Sequence, residues 1–166
     1  MPLPQPIDDK QIYSIDTLSL DEFEHGLLAL SRHFVMGYED GNRKSWNSAY
    51  IIAVERWGER IGLPVAFAVM KLIGVLMRLR PDIEVLDPFI AENKTCVTGD
   101  EHALMLMVHY MRRDVTPPAR DAVEDLCRGR LDPQVIRAGL SLARRFSCGR
   151  QHASGSDPKP QLRVVA

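Results

Sequence analysis

The sequence predicts an all-α fold: a single-domain bundle of about six helices with an extended N-terminal arm and a disordered C-terminal tail. Helix-start residues recur at Ser19, Thr98, Thr116 and Asp132. Two carry glutamate three positions on (Glu22, Glu101), and two are followed by proline (Pro117, Pro133). These residue types satisfy or dispense with the free N–H groups of a starting helix. Between them apolar residues recur at steps of three and four, and no strand-period segment with hairpin signals or fixed-period repeat interrupts them. At 166 residues and 45% hydrophobic, the chain suits one domain with one core. The division expected is an arm over 1–18, a helical domain over 19–147 and a flexible tail over 148–166.

Alternating prolines (Pro2, Pro4, Pro6) deny helix to the arm, whose apolar residues Ile12 to Leu18 are expected to dock on the domain. Leu18 and Phe23 flank the Ser19 cap at the positions of a hydrophobic staple. The first helix should run from Leu20 to Tyr38, with Leu20, Phe23, Leu27, Leu30 and Phe34 on one stripe. After the turn Glu39–Asn42, a second helix spans Arg43 to Ile61, with Trp46, Tyr50, Ala53 and Trp57 sharing a face. Gly62-Leu63-Pro64 restarts the chain into a third helix, apolar nearly all round and ended by Pro81.

Residues 81–98 lack periodicity, apart from a turn that Asp87-Pro88 is expected to cap through Asn93. A connection of that length is commonly functional or mobile. Three shorter helices follow, over 99–113, 117–128 and 133–146. From Ser147 onward Gly, Ser, Pro, Gln and Lys dominate, the composition of a disordered tail.

The net charge of −1 excludes a wholly basic nucleic-acid binder, but it hides a gradient. Residues 1–110 hold 10 Lys/Arg against 16 Asp/Glu, and residues 111–166 hold 11 against 6. Three cysteines without paired spacing give no disulfide framework, and the N terminus has neither the basic nor the apolar region of a signal peptide. The apolar stretch Pro64–Met77, interrupted by Lys71, falls short of a bilayer span. The expected location is cytoplasmic, with no membrane partner.

Motifs for catalysis are missing. Glu22-x-x-His25 is a lone Glu-x-x-His pair, whereas a carboxylate-bridged di-iron centre needs two. His102 and His109 are seven residues apart on one side of a helix, about 10.5 Å of rise, too far to share one zinc ion directly. Cys96 lies two residues before the Thr98 cap, where a helix N terminus favours a thiolate, with Lys94 close by. It has no identifiable base or oxyanion site. Phosphate-binding glycine loops, the esterase elbow and calcium-loop spacing are all absent. No cofactor is expected.

The leading functional expectation is therefore a small non-enzymatic helical protein that binds another protein or itself. Its candidate contacts are Trp46, Trp57, Met107 and Met111, together with the 81–98 loop. Aromatic anchors and adaptable methionines suit interfaces, although both are also ordinary core residues. The alternative is a nucleic-acid-binding regulator using a helix-turn-helix-like C-terminal pair with Arg128, Arg130, Arg137, Arg144 and Arg145. Arg144 and Arg145 also fit simple compensation of a helix dipole. A second alternative is a metal- or thiol-dependent activity around Cys96, His102 and His109.

Overall fold

The computed structural model describes residues 11–41 and 43–148. Its fold is all-α: α1 (Glu22–Asp40), α2 (Arg43–Leu79), α3 (Gly99–Arg112), α4 (Thr116–Leu126) and α5 (Pro133–Arg145). Five helices stand where the sequence suggests six, because the expected second and third are joined through one non-helical residue, Gly58 (φ 72°, ψ 164°). The break comes four residues before the expected restart at Gly62, and Pro64 lies inside the second arm. Glycine alone adopts a positive φ without strain, which places the corner there.

That corner is sharp. Nine residues of straight helix span about 13.5 Å, yet a Cβ on Gly62 would collide with the carbonyl of Ala53. The second arm also lays Met70 Sδ 3.6 Å from the Tyr50 hydroxyl, so it folds back along the first. By length and composition alone α2 is apolar enough to cross a membrane. In the fold, Val65, Ala66, Val69, Leu72, Ile73 and Leu76 of its second arm are buried in the common core.

α1 and the first arm of α2 form an antiparallel hairpin set by two notches. Gly26 and Gly37 are eleven residues apart, three turns, and so are Trp46 and Trp57. A Cβ on Gly26 would stand 2.5 Å from Trp57 Cζ2, and one on Gly37 would stand 2.5 Å from Trp46 Nε1. Only glycine therefore admits the indoles. Phe34 packs edge-on to Trp46 with ring centroids 5.2 Å apart, and Phe23 lies 5.0 Å from Trp57.

The α1 cap differs from the sequence expectation. Ser19 has left-handed backbone (φ 48°, ψ 39°) and closes a short 3-10 helix over Ile15–Leu18. The N-cap is Asp21, whose side chain accepts from the Glu24 N–H while the Glu24 carboxylate accepts from the Asp21 N–H. Ser-x-x-Glu and Asp-x-x-Glu overlap here, and the second wins because Asp21 has the extended backbone an N-cap requires (φ −78°, ψ 171°). The capping box of Thr98 with Glu101 and the cap of Asp132 form as expected. Thr116 does not cap: the N-cap of α4 is Val115, with no side-chain cap hydrogen bond.

The described part of the arm adds a feature the sequence did not announce. Ile12–Ser14 forms β1, antiparallel to β2 (Cys96–Thr98), with Tyr13 opposite Val97. Three-residue strands are too short for an alternating pattern to register. The 81–98 loop is closely tethered. Asp87 Oδ1 accepts from the Phe89 N–H, and the Asn93 side chain donates to the Asp87 carbonyl. A second 3-10 helix, Ala91–Thr95, then leads into β2. The expected disordered tail lies almost wholly outside the described residues.

Candidate functional site

Two buried ion networks hold α1 against α3. Arg32, in the middle of α1, donates through Nε and Nη2 to both oxygens of Glu101 at 2.6 and 3.0 Å. Its remaining N–H groups reach the carbonyls of Asn93 and Cys96, and Glu101 accepts in turn from the N–H groups of Leu86 and Thr98. One bidentate pair thus ties α1, the 81–98 loop and the start of α3.

The second network lies one end further along. Glu24 is 0% exposed and accepts from Arg112 and Arg113 at 2.6 Å each. It also pairs with His109 Nδ1 at 2.9 Å. Asp21 supports the same guanidinium groups at 2.8 and 3.2 Å, and Cys148 Sγ lies 3.9 Å from its carboxylate. Burial alone would raise the Glu24 pKa. Hydrogen bonds from Arg113, His109 and the Asp21 N–H outweigh it and hold the carboxyl below the ordinary glutamate range. Asp21 is lowered in the same way: burial opposes, while the Glu24 N–H, Arg112 and Arg113 prevail. Both Glu24 carboxylate oxygens are engaged by protein groups, so the network organises the fold.

The residues considered for metal or thiol chemistry are dispersed. His109 belongs to the Glu24 network, while His102 stacks on Tyr13 with centroids 5.0 Å apart. Burial pushes the His102 pKa down, against the attraction of Asp125. Cys96 sits in β2 with its sulfur 3.8 Å from the Thr95 hydroxyl. Among the described residues no group of three His, Cys, Asp or Glu side chains is arranged to hold a metal ion.

A polar cleft of about 420 Å³ lies beside His102, lined by Tyr13, Arg80, Asp100, His102, Asp125 and Arg128. Its cations are engaged: Arg80 pairs with Asp100 at 2.6 Å, and Arg128 with Asp82 at 2.6 Å. Burial and the neighbouring Asp121 and Glu124 push the Asp125 pKa up. The cleft presents no nucleophile beside a base.

Of the interface candidates, Trp46 and Trp57 are half-buried in the α1–α2 hairpin, and Met107 is fully buried in the core. Met111 is half-buried, and its sulfur fills the space left by Gly139 of α5. It opens onto a groove of about 460 Å³ between α3, α4 and α5. Tyr110 and Met111 form its floor, Ala119 and Val123 one wall, and Ile136 and Leu140 the other, with Leu131 and Val115 at its ends. Ile136 and Leu140 form an exposed-side i, i+4 ridge on α5, whereas Ala119 and Val123 are buried at the foot of the α4 side.

Basic residues edge this groove. Ile136, Leu140 and Arg144 form one i, i+4, i+8 row on α5, and Arg137, Ser141 and Arg145 form the next. Arg120 stands on the α4 lip, 3.8 Å from Glu124. Asp114 is the one carboxylate among the groove's lining residues. The sequence-based arginine candidates therefore divide. Arg137, Arg144 and Arg145 are exposed along α5, and Arg128 and Arg130 lie at the α4–α5 turn.

Met111 apart, the apolar residues of the groove were missed in the sequence, and the signal for them was faint. Val135, Gly139, Leu142 and Ala143 already supply a buried stripe on α5. Ile136 and Leu140 widen it beyond what a terminal helix needs to dock. Comparison of the chain with protein-family models, curated proteins and solved structures gives no match.

Proposed function

We propose that this chain is a small non-enzymatic helical protein, an adaptor or regulatory module, that works by binding another protein at the groove between α3, α4 and α5. The observation that supports this reading is the groove's apolar lining: Met111, Val115, Leu131, Ile136 and Leu140 reach solvent, with Ala119 and Val123 buried behind them. Single exposed apolar residues are ordinary on a protein surface, whereas a contiguous apolar concavity with a polar rim is the usual form of a docking site. Met111 adds a floor that adapts its shape at low cost.

The test is a pull-down from native lysate with tagged wild type and a Leu140→Asp variant in parallel, each with and without nuclease. Leu140 is half-buried and lies outside the main core cluster, and circular dichroism of the variant checks that its helix content is kept. A protein retained by wild type after nuclease and lost with Leu140→Asp supports the reading. Identical profiles for the two chains would defeat it. Nucleic acid recovered with wild type and lost after neutralising Arg137, Arg144 and Arg145 would favour a nucleic-acid-binding regulator instead.

A further inference from the structure

We propose that the groove takes an acidic amphipathic helix of a partner protein, its apolar stripe laid along the Ile136–Leu140 ridge against Met111, Val115 and Leu131 and its carboxylates set against Arg120, Arg137 and Arg144. The inference rests on the protein-binding reading above and specifies the partner's chemistry.

Three observations carry it. The first is shape. Ile136 and Leu140 stand one turn apart on α5 beside Met111 of α3, with Val115 and Leu131 on either side of α4 in sequence, a set of apolar contacts that matches side chains repeating at i, i+3/i+4. A volume of about 460 Å³ suits a few apolar side chains and is too small for a folded domain.

The second is charge. The groove and the adjoining α5 surface are lined by Arg120, Arg137, Arg144 and Arg145 against Asp114 alone. Among the described residues, no carboxylate lies within ion-pair distance of Arg137 or Arg144, whereas Arg32, Arg80, Arg112 and Arg113 all have carboxylate partners. Arg137 and Arg144 thus present their charge beside an apolar groove, while Arg120 shares Glu124 at 3.8 Å.

The third is the end of α4. Its N-cap, Val115, provides no side-chain acceptor, and Val115 and Thr116 line the groove. Pro117 and Pro118 carry no N–H, so the start of α4 adds to the basic rim only through its dipole and offers few donors. A basic partner helix would meet four arginines and this dipole end. A neutral one would leave the rim unanswered.

The experiment is fluorescence polarisation with the full chain and two labelled peptides of about 18 residues, five turns of helix. One has Leu at i, i+3, i+4 and i+7 with Glu elsewhere; the other has Lys in place of every Glu. Duplex DNA and anionic phospholipid vesicles are titrated alongside. The acidic peptide should bind at least about tenfold more tightly than the lysine peptide. Its affinity should fall as NaCl rises from about 50 to about 500 mM. An Arg137→Glu/Arg144→Glu double variant, both positions exposed, should weaken it at least about tenfold with unchanged circular dichroism. Leu140→Asp should remove binding.

Equal binding of the two peptides, no binding of either, or full binding by the double arginine variant would overturn the inference. So would stronger binding to DNA or vesicles that the same arginine variant abolishes. If the acidic peptide fails while Leu140→Asp still loses a native protein in the pull-down, the acidic helix is wrong and the protein-binding reading stands. If the acidic peptide binds through the groove but wild type and Leu140→Asp retain the same proteins, the site exists and the adaptor reading fails.

Discussion

Replacing Glu24 by glutamine probes the most deeply buried charge in the molecule at nearly constant volume. The carboxylate is 0% exposed and meets Arg112, Arg113, His109 and the Asp21 N–H. Glutamine keeps one acceptor oxygen but turns an NH2 group toward donors. Breaking a buried charge pair from one side costs about 3–5 kcal/mol, because the surviving charge is left without its partner. Two observations decide where in that range the loss falls. The Arg113 side chain is 26% exposed and can turn to water, while Arg112, 5% exposed, keeps Asp21 and the Phe146 carbonyl. The expected loss is therefore near the lower end, about 3 kcal/mol. For a chain of this size that corresponds to roughly 6–12 °C in Tm. Urea unfolding followed by circular dichroism, with a thermal melt in parallel, measures both. Glu22→Gln is the control: Glu22 is exposed, two residues earlier on another side of α1, and should leave the midpoint where it was. A loss below about 1 kcal/mol for Glu24→Gln, or equal effects of the two variants, would refute the assignment of the network to Glu24.

Three further outcomes follow from the same geometry. Glu24 and Asp21 both have pKa values below their ordinary ones, so their stabilisation is complete above the usual carboxylate range and disappears as pH falls through the lowered values. The stability gap between wild type and Glu24→Gln, measured in urea from about pH 7 to about pH 3, should narrow toward acid; a constant gap contradicts this. Gly62→Ala should cost at least about 1–3 kcal/mol, since the added methyl meets the Ala53 backbone and no side chain can swing aside; an unchanged urea midpoint would show that the α2 corner is not tight. Thr98→Ala should cost about 1 kcal/mol or more, because Oγ1 both caps α3 and donates to the Glu84 carbonyl. Thr116→Ala, which removes no side-chain cap hydrogen bond, should leave the unfolding midpoint unchanged.

The helices were legible because their signals are local. Thr98 with Glu101, and Asp132 with Pro133, each carry the start of a helix within four residues, and α3 to α5 begin within one residue of the expected positions. Where two local signals competed, backbone conformation decided: Ser19 and Asp21 both precede a glutamate by three, and only Asp21 is extended. The Gly58 corner was hidden by a more conspicuous punctuation mark, Gly62-Leu63-Pro64, that the helix absorbs. Pro64 falls six residues after Gly58, beyond the first turn, so the Arg60 carbonyl goes without its helical N–H partner there. The ion networks were out of reach for a different reason. Glu24 and Arg113 are 89 residues apart, Arg32 and Glu101 are 69 apart, and no spacing rule links residues across that distance. The arginines of the groove were legible as a basic face, whereas its apolar walls became a channel only once α4 and α5 lay side by side.

α3 has two unlike sides, and the difference bears on where this molecule can accommodate a partner. Toward α1 it is fixed by directional charged contacts at both ends. Glu101 near its start holds Arg32, and His109, Arg112 and the following Arg113 hold Glu24. Residues 24 and 32 face 109–113 and 101 respectively, which sets the two helices antiparallel in one register. A shift by one turn would strand buried charges at both ends at once. Toward α5 the contact is of another kind: Met107 and Met111 close on Gly139 through flexible thioether side chains. Non-directional packing tolerates small rotations that a buried ion network forbids. The middle of α5 can therefore adjust around a guest in the groove, while the end of α4 is held by Arg80 on the Leu126 carbonyl and the end of α5 by Arg112 on the Phe146 carbonyl. The same division predicts that amide exchange in α4 and α5 is slowed by an acidic peptide in the groove, while exchange in α1 is unchanged. Slowing confined to α1 would place the peptide elsewhere.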